Sequence, residues 1–176
     1  MEAALTDANL KNAQKISVGP EVTLVDACDA ALVRENGPWH LGGTNSNYAK
    51  SYQGGYLHRL IMAPGPDEFV DHINGDCLDN RRRNLRIATR SENCANTAVV
   101  LNSTGYKGVA VYPKKKKRYQ ARLCKHGQVF RGPYRATAEE AARDYDGLAR
   151  GIHGPFAAVN FPIENERGVD RPGGVA

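Results

Sequence analysis

The sequence has few cysteines, and none of them forms a close pair. Cys28, Cys77, Cys94 and Cys124 stand far apart with no CxxC spacing, which argues against a structural zinc site and a disulfide framework. No apolar run approaches the ~20 residues that cross a bilayer. The segment Met1–Asp7 lacks the basic start and apolar stretch of a signal peptide. We therefore expect an intracellular, cytoplasmic protein with no membrane partner.

Charge is distributed unevenly along the chain. Residues 81–135 contain 15 Lys and Arg and one acidic residue, a net charge of +14, whereas residues 1–80 carry −6 and residues 136–176 carry −3. A cationic segment of this kind attracts polyanions, and double-stranded nucleic acid is the commonest polyanion in a cell. A solvated surface or a basic linker is the alternative interpretation.

The first half is predicted to contain short strands and one helix. Residues 1–20 are polar and weakly patterned, which indicates a flexible arm, and Val22–Val33 has no clear period, so its state stays open. Gly55–Met62 predicts a strand and Phe69–Ile73 a second one. A helix is expected to begin near Ser91. The strand, turn and helix together predict a compact ββα unit.

The second half is predicted to be a small sheet with one helix. Thr137 and Glu140 form a capping-box pattern that opens a helix running to about Arg150. The apolar stripe of this helix should lie on the sheet. The predicted strands are Gly108–Tyr112, Tyr119–Cys124 and Gln128–Tyr134.

One set of residues suggests chemistry: Asp71, His72, Asn84 and Asn93. An adjacent Asp-His pair is weak evidence by itself, because most such pairs are surface polar residues. Carboxylate and amide oxygens, however, are hard ligands that suit Mg²⁺, and an imidazole can take a proton from an attacking water. A bound metal can stabilise phosphate charge and the leaving 3′ oxygen. The set therefore contains the groups that metal-assisted phosphodiester hydrolysis requires.

The sequence around this set resembles a known family. Leu57–Ile61 (LHRLI), Val70–Asp76 (VDHINGD), Leu78–Arg86 (LDNRRRNLR) and Glu92–Asn93 are together similar to the HNH endonucleases. The resemblance is closest to the homing-endonuclease branch of phages and mobile introns, and it covers about residues 20–100. It implies a ββα-metal fold.

The resemblance also implies a role for each residue of the set. His72 would be the general base and Asp71 a ligand of Mg²⁺ or Mn²⁺. Asn84 would brace the ββα loop, and Asn93 would be the second metal ligand, with Asn96 as the alternative at that position.

Other residues near this set allow more than one interpretation. His58 could contact phosphate or the metal from a neighbouring strand, but we favour a buried strand histidine held by hydrogen bonds. Trp39 and Tyr48 are expected in the core rather than stacked on bases. Four arginines could clamp backbone phosphates, although some of them must face solvent: Arg81, Arg82, Arg83 and Arg86.

A second resemblance covers about residues 103–162. The segments GYKGV, YQARL, AEEAARDYD and NFP, which begin at Gly105, Tyr119, Ala138 and Asn160, are similar to the plant ethylene-response-factor DNA-binding domain. That domain often accompanies homing HNH nucleases. The resemblance implies a three-stranded antiparallel sheet, packed on one helix, that lies in the DNA major groove.

The second resemblance predicts DNA contacts but not base specificity. Tyr119 stands where the family usually has Trp, and the segment Gly132–Thr137 is one residue longer than the usual turn. The sheet-face residues expected at DNA are Lys107, Tyr112, Tyr119, Arg122 and Arg131.

The sequence thus predicts an α+β protein with two modules. An HNH nuclease domain spans residues 21–100 and a DNA-binding domain spans 103–162, with flexible segments at 1–20 and 163–176. The expected activity is metal-dependent cleavage of double-stranded DNA, with nicking by a monomer favoured unless the chain dimerises. A catalytically silent, sequence-specific DNA-binding regulator is the alternative. An RNA-binding role is less favoured, because the chain lacks a sheet motif with stacking aromatic residues.

Overall fold

The computed structural model describes residues 13–42, 48–97, 102–116, 118–163 and 166–168. The chain forms two compact units, Met1–Thr89 and Arg90–Ala176. Both α-helices and β-sheets occur in the described residues, in agreement with the predicted α+β class. None of the helices in these residues has the length and apolar content needed to cross a bilayer.

The first unit is built around a four-stranded sheet. Its strands, in the order β2-β1-β3-β4, are β1 Ala13–Val18, β2 Glu21–Asp26, β3 Trp39–Gly42 and β4 Tyr48–Ser51. Helix α1, Ala30–Glu35, connects β2 to β3. The open segment Val22–Val33 therefore contains both a strand and a helix.

The prediction of a flexible N-terminal arm is wrong for Ala13–Val18. These residues form β1, which pairs with β2 along its whole length in an antiparallel hairpin. Ile16 and Val18 face the core, and the alternating polar residues Lys15 and Ser17 face outward. Polar residues on the solvent side of a half-buried strand mask the strand pattern. Residues 1–12 lie outside the described part of the chain.

The predicted strand over Gly55–Met62 is also wrong, because Leu57–Met62 forms helix α2. The buried residues Leu57, His58 and Ile61 lie on one helical face, a spacing that a strand could not bury on one side. The helix ends at Ala63, which adopts the left-handed conformation with φ of 44°. Leucine, arginine and methionine in this segment all favour a helix.

A hydrophobic cluster packs the sheet of the first unit against α1 and α2. Val18, Val25, Val33 and Leu57 are fully buried in it, and Trp39 is 5% exposed. The Trp39 indole N–H donates to the Val33 carbonyl at 2.8 Å. The prediction that Trp39 belongs to the core is therefore confirmed.

A short hairpin follows α2. Strand β5, Phe69–His72, confirms the predicted second strand, and it pairs antiparallel with β6, Leu85–Ala88. Helix α3, Arg90–Ala95, follows β6 in the chain and confirms the helix expected near Ser91. It belongs to the second unit.

Strand β2 also supports the loop between β5 and β6. Backbone hydrogen bonds of 2.8 Å join the Leu24 amide to the Leu78 carbonyl and the Asn80 amide to the Leu24 carbonyl. Asp26 and Asp29 bind Arg82, at the 3₁₀ turn Arg82–Asn84. The N-terminal hairpin therefore holds the segment that leads into β6.

The second unit contains the predicted three-stranded sheet and helix. Strands β7 Val109–Val111, β8 Tyr119–Lys125 and β9 Gln128–Arg135 pair antiparallel in that order. Helix α4, Ala138–His153, begins with the predicted capping box of Thr137 and Glu140. Its buried residues include Ala141, Ala142, Tyr145 and Ala149, four of the predicted apolar stripe, which pack on the sheet.

Two glycines of this unit allow α4 to lie close to the sheet. Gly108 has φ of +70°, and a Cβ there would overlap the Tyr145 ring. A Cβ on Gly132 would lie 3.3 Å from the Cβ of Asp144 on α4, and 3.0 Å from the Cβ of Ala121 on β8. The strand register shifts opposite Gly132, because three β9 positions separate Tyr134 from Arg131 while two separate Gln120 from Arg122. One extra residue of β9 therefore forms a β-bulge at this point.

Strands β10, Ala158–Val159, and β11, Arg167–Gly168, pair in parallel. The predicted flexible tail at 163–176 therefore includes a short paired strand. Most of its other residues lie outside the described part of the chain.

Candidate active site

Strand β5 places Asp71 and His72 side by side at the end of the hairpin. In the β5–β6 register, Asp71 lies opposite Arg86 and His72 lies opposite Leu85. Both residues are 4% exposed. A buried carboxylate and a buried imidazole both need polar partners, and the structure supplies a partner for each.

The partner of Asp71 is Arg86. Two guanidinium nitrogens of Arg86, Nε at 2.7 Å and Nη2 at 2.6 Å, approach Asp71 Oδ2. The pair is largely shielded, with side-chain exposures of 16% for Arg86 and 5% for Asp71. Arg86 therefore neutralises the charge of Asp71. Because its guanidinium is bound in this way, Arg86 is not available to contact a DNA phosphate.

His72 is held by Asn80 and by aromatic rings. Its Nε2 lies 3.2 Å from Asn80 Oδ1. Its ring centroid is 5.2 Å from that of His58, in an edge-on arrangement, and 5.7 Å from that of Tyr48. Burial lowers the pKa of His72, although the hydrogen bond with Asn80 and the charge of Asp71 oppose this shift. A neutral imidazole can accept a proton, as a general base must.

His58 lies on α2, so the prediction of a strand histidine is wrong in its secondary structure but right in its burial. The side chain is 8% exposed and packs on the rings of Tyr48 and Tyr56, at centroid distances of 5.0 and 5.5 Å. Burial, followed by the charges of His72 and Arg59, lowers the pKa of His58 to about 3.

Tyr48 is half-buried and lines this histidine cluster. Burial raises its pKa above the ordinary range. The expectation that Tyr48 lies in the core is therefore met only in part, because the side chain is half-buried and its ring contacts both histidines.

Asn84 occupies a position that fits the predicted brace. Its Oδ1 accepts from the Asn74 amide at 3.0 Å, and its Nδ2 donates to the Asp79 carbonyl at 2.8 Å. Its backbone carbonyl accepts from the Ile73 amide. Asn84 therefore joins the two ends of the β5–β6 loop.

The possible metal ligands are Asp71 and Asn93. Asp71 is a hard oxygen donor of the type that Mg²⁺ prefers, and Mg²⁺ needs few protein ligands because it keeps several waters. Asn93 is half-buried on α3 in the second unit, and Asn96 is buried just after that helix. The described ranges contain no cluster of three or more His, Cys, Asp or Glu that could hold a metal ion. The donor types fit a hydrated Mg²⁺ or Mn²⁺ but not a closed site such as that of structural zinc.

The four arginines of the motif differ in their contacts. Arg81 forms two 2.6 Å hydrogen bonds with Asp79, and Arg82 pairs with Asp29 at 2.7–2.8 Å. Arg86 is bound to Asp71. Arg83 is exposed and has no ion-pair partner among the described residues. Of the four, Arg83 is therefore the one available to a phosphate.

The predicted DNA-contact residues of the second unit do not all lie together. Arg122 and Arg131 lie opposite each other on exposed positions of β8 and β9, on the sheet face away from α4, since Ala121 and Leu123 pack into the core. We call this face the outer face. Tyr134 lies opposite Gln120 on the same face. The ring centroid of Tyr112 is 5.3 Å from that of Tyr134.

Lys107 and Tyr119 lie elsewhere. The Lys107 ammonium donates to the carbonyls of Ala95 and Thr97, at 2.9 and 2.6 Å, where α3 ends. Burial lowers its pKa to about 8. Tyr119 packs with Tyr106 against the core beneath the helix. Neither side chain is on the outer face.

Sequence reasoning missed Asn80, Thr23 and the role of Tyr48. Asn80 is fully buried beside His72, and Thr23, also fully buried, contacts Asn80 from strand β2. A side chain amide inside the LDNRRRNLR run was visible in the sequence. No local signal, however, connects Thr23 or Tyr48 with the histidine.

Two comparisons with known proteins found similar sequences. Residues 55–95 match the sequence profile of the HNH endonucleases. The chain is 34% identical over 131 residues to an uncharacterized HNH endonuclease of Acanthamoeba polyphaga mimivirus, a match that covers 69% of this chain and 66% of the relative. No solved structure matches the chain.

Proposed function

We propose that the protein is a metal-dependent endonuclease that hydrolyses phosphodiester bonds in double-stranded DNA, because residues 55–95 match the sequence profile of the HNH endonucleases. The observation that carries the proposal is the buried His72 next to Asp71 on the hairpin, with a lowered pKa that keeps the imidazole neutral. A neutral base beside a carboxylate is the combination that activation of water near a metal requires.

In the proposed reaction His72 takes a proton from water, and the water oxygen forms a bond to phosphorus. The bond between phosphorus and the 3′ oxygen breaks, and the 3′ oxygen gains a proton. The products are a 5′-phosphate and a 3′-hydroxyl. Asp71 would be a ligand of Mg²⁺ or Mn²⁺, and Asn93 would be the second ligand that the HNH resemblance implies. Asn84 keeps the loop that follows His72 in place. A bound divalent ion would stabilise the charge on the phosphate and on the leaving oxygen.

The second unit is proposed to anchor duplex DNA through its outer face. Arg122 and Arg131 lie directly opposite each other, and like charges in that arrangement repel. A polyanion lying across the face would relieve this repulsion. Lys115, 4.4 Å above the Tyr134 ring, adds charge beside the same face. In the first unit, Arg83 would contact the phosphate backbone.

The test is cleavage of supercoiled plasmid in Mg²⁺, in Mn²⁺ and in EDTA. We expect relaxed circles that require both the metal and His72, because one active site per chain favours nicking. His72→Ala should abolish cleavage, and His126→Asn, at an exposed turn of the second unit, is the matched histidine control. Full activity in His72→Ala would remove His72 from the mechanism.

The alternative is a catalytically silent DNA-binding regulator, which the exposed arginines of the outer face would also support. Gel-shift binding without any product in either metal would favour this alternative. Binding retained by His72→Ala, together with loss of cleavage, would instead support the nuclease.

A further inference from the structure

A chain of three buried side chains leads from strand β2 to the candidate base. Thr23 Oγ1 lies 2.7 Å from the Leu78 carbonyl oxygen and 2.8 Å from Asn80 Nδ2, and Asn80 Oδ1 lies 3.2 Å from His72 Nε2. Thr23 and Asn80 are fully buried and His72 is 4% exposed. Water therefore has little access to replace any of these contacts.

The first contact fixes the direction of the Thr23 hydroxyl. A carbonyl oxygen only accepts hydrogen bonds, so Thr23 must donate its single hydroxyl proton to Leu78. Towards Asn80, Thr23 can then act only as an acceptor. The group that faces Thr23 must be the NH₂ of Asn80.

A second contact gives the same orientation of the Asn80 amide. Nδ2 also lies 3.3 Å from the Cys77 carbonyl, which can only accept. If the amide were flipped, Oδ1 would face the Cys77 carbonyl oxygen and Thr23 Oγ1. The hydroxyl of Thr23 already donates its proton to Leu78, so no hydrogen bond could form at either contact. The hydrogen-bond network therefore decides which end of the amide is oxygen.

The orientation of Asn80 decides the tautomer of His72. Asn80 Oδ1 can only accept, so His72 Nε2 must carry the proton, and in a neutral imidazole the lone pair is then on Nδ1.

We propose that Asn80, held by Thr23, is a positioning residue that keeps His72 in the Nε2–H tautomer, so that Nδ1 is the nitrogen that takes the proton from water. The catalytic part of this inference rests on the proposed function. The tautomer itself does not, and Thr23 lies outside the segment 55–95 that matches the nuclease profile.

The direct test is ¹⁵N NMR of the histidine ring nitrogens, which distinguishes a protonated from an unprotonated nitrogen without any cleavage. His72→Gln assigns the signals. We expect protonated Nε2 and unprotonated Nδ1 in the wild type and in Thr23→Ser. Thr23→Val has nearly the same shape but no hydroxyl, and it should give a mixture of tautomers. An Nδ1–H ring in the wild type, or an unchanged ring in Thr23→Val, would overturn the proposal.

The kinetic test compares the same pair of variants on DNA. Thr23→Val should lower kcat about tenfold with little change in KM. A tenfold loss of rate corresponds to the strength of one ordinary hydrogen bond. Thr23→Ser should restore the rate. The stronger variant Asn80→Ala removes the contact with His72 altogether, but it leaves buried groups unpaired and can unfold the unit, so Thr23→Val is the decisive variant.

The two tests separate failure of the inference from failure of the proposed function. If wild type does not cleave DNA but His72 shows the Nε2–H tautomer that Thr23→Val disturbs, the hydrogen-bond chain is supported and the nuclease assignment fails. If wild type cleaves DNA and Thr23→Val cleaves equally well, the positioning role is refuted while the nuclease stands.

Discussion

Acidification should destabilise the first unit through His58. This side chain is 8% exposed on α2, among the rings of Tyr48, Tyr56 and His72. Its pKa in the folded protein is about 3, against 6.5 for the ordinary group. As the pH falls below 6.5, the unfolded chain binds a proton at this position and the folded chain does not. The contribution of the neutral His58 to the free energy of unfolding is therefore fully present above pH 6.5. It is lost as the pH falls from 6.5 towards 3.

The size of the effect follows from this difference in pKa. Each pH unit between the two values costs about 1.4 kcal/mol. From pH 7 to pH 5 only the part below pH 6.5 contributes, so the loss of unfolding free energy from His58 should be about 2 kcal/mol.

The assay is urea unfolding followed by fluorescence. Trp39 is the single tryptophan of the chain, and it is buried in the same unit as His58. His58→Phe keeps an aromatic ring in the cluster but cannot titrate, so it should lose about 2 kcal/mol less than wild type between pH 7 and pH 5. His126→Asn is the control, because His126 is exposed at φ of 50°, which asparagine tolerates.

Equal pH dependence in wild type and His58→Phe would refute this reasoning. It would mean that the folded unit can accept a proton on His58, or that the unfolded chain keeps the histidine buried.

Three further predictions concern other parts of the chain. Gly108→Ala should lower the stability of the second unit by about 3 kcal/mol or more, measured by thermal unfolding, because it adds a Cβ against Tyr145 at a positive φ; an unchanged Tm would contradict the packing. Thr137→Ala should cost about 1 kcal/mol in the same assay through loss of the cap to Glu140, and Thr137→Ser should not. Arg83→Ala should weaken DNA binding and reduce the salt dependence of log K by about one, measured by titration at several salt concentrations; an unchanged slope would show that Arg83 does not contact phosphate.

The elements with a complete local signal were predictable from sequence. The structure of α4 could be predicted from its capping box and apolar stripe. Strands β8 and β9 could be predicted from the glycines and turns around them, since each signal lies within a few residues. The segment Leu57–Met62 was not predictable, because six residues of mixed polarity fit a strand or a helix equally well. There the decision comes from burial of Leu57 and Ile61 against the sheet.

The candidate site divides in the same way. Asp71, His72, Asn84 and Asn93 follow the spacing of the HNH motif, so the sequence alone is enough to propose them as site residues. Which arginines are free does not follow from sequence, since the partner of Arg82 is Asp29, 53 residues away. Thr23 is likewise 57 residues from Asn80. Contacts at such separations appear only once the chain has folded.

The support that strand β2 gives to the Leu78–Asn80 loop limits how the segment that matches the HNH profile can be excised or transferred. A fragment cut at residues 55 and 95 would leave Arg82 without the carboxylates of Asp26 and Asp29. It would also remove Thr23, the hydrogen-bond partner of the buried Asn80 amide. Residues 55–95 therefore lack contacts that they need when they are separated from the N-terminal residues. A gene fusion or exchange that preserves the motif's geometry must carry the N-terminal hairpin with it.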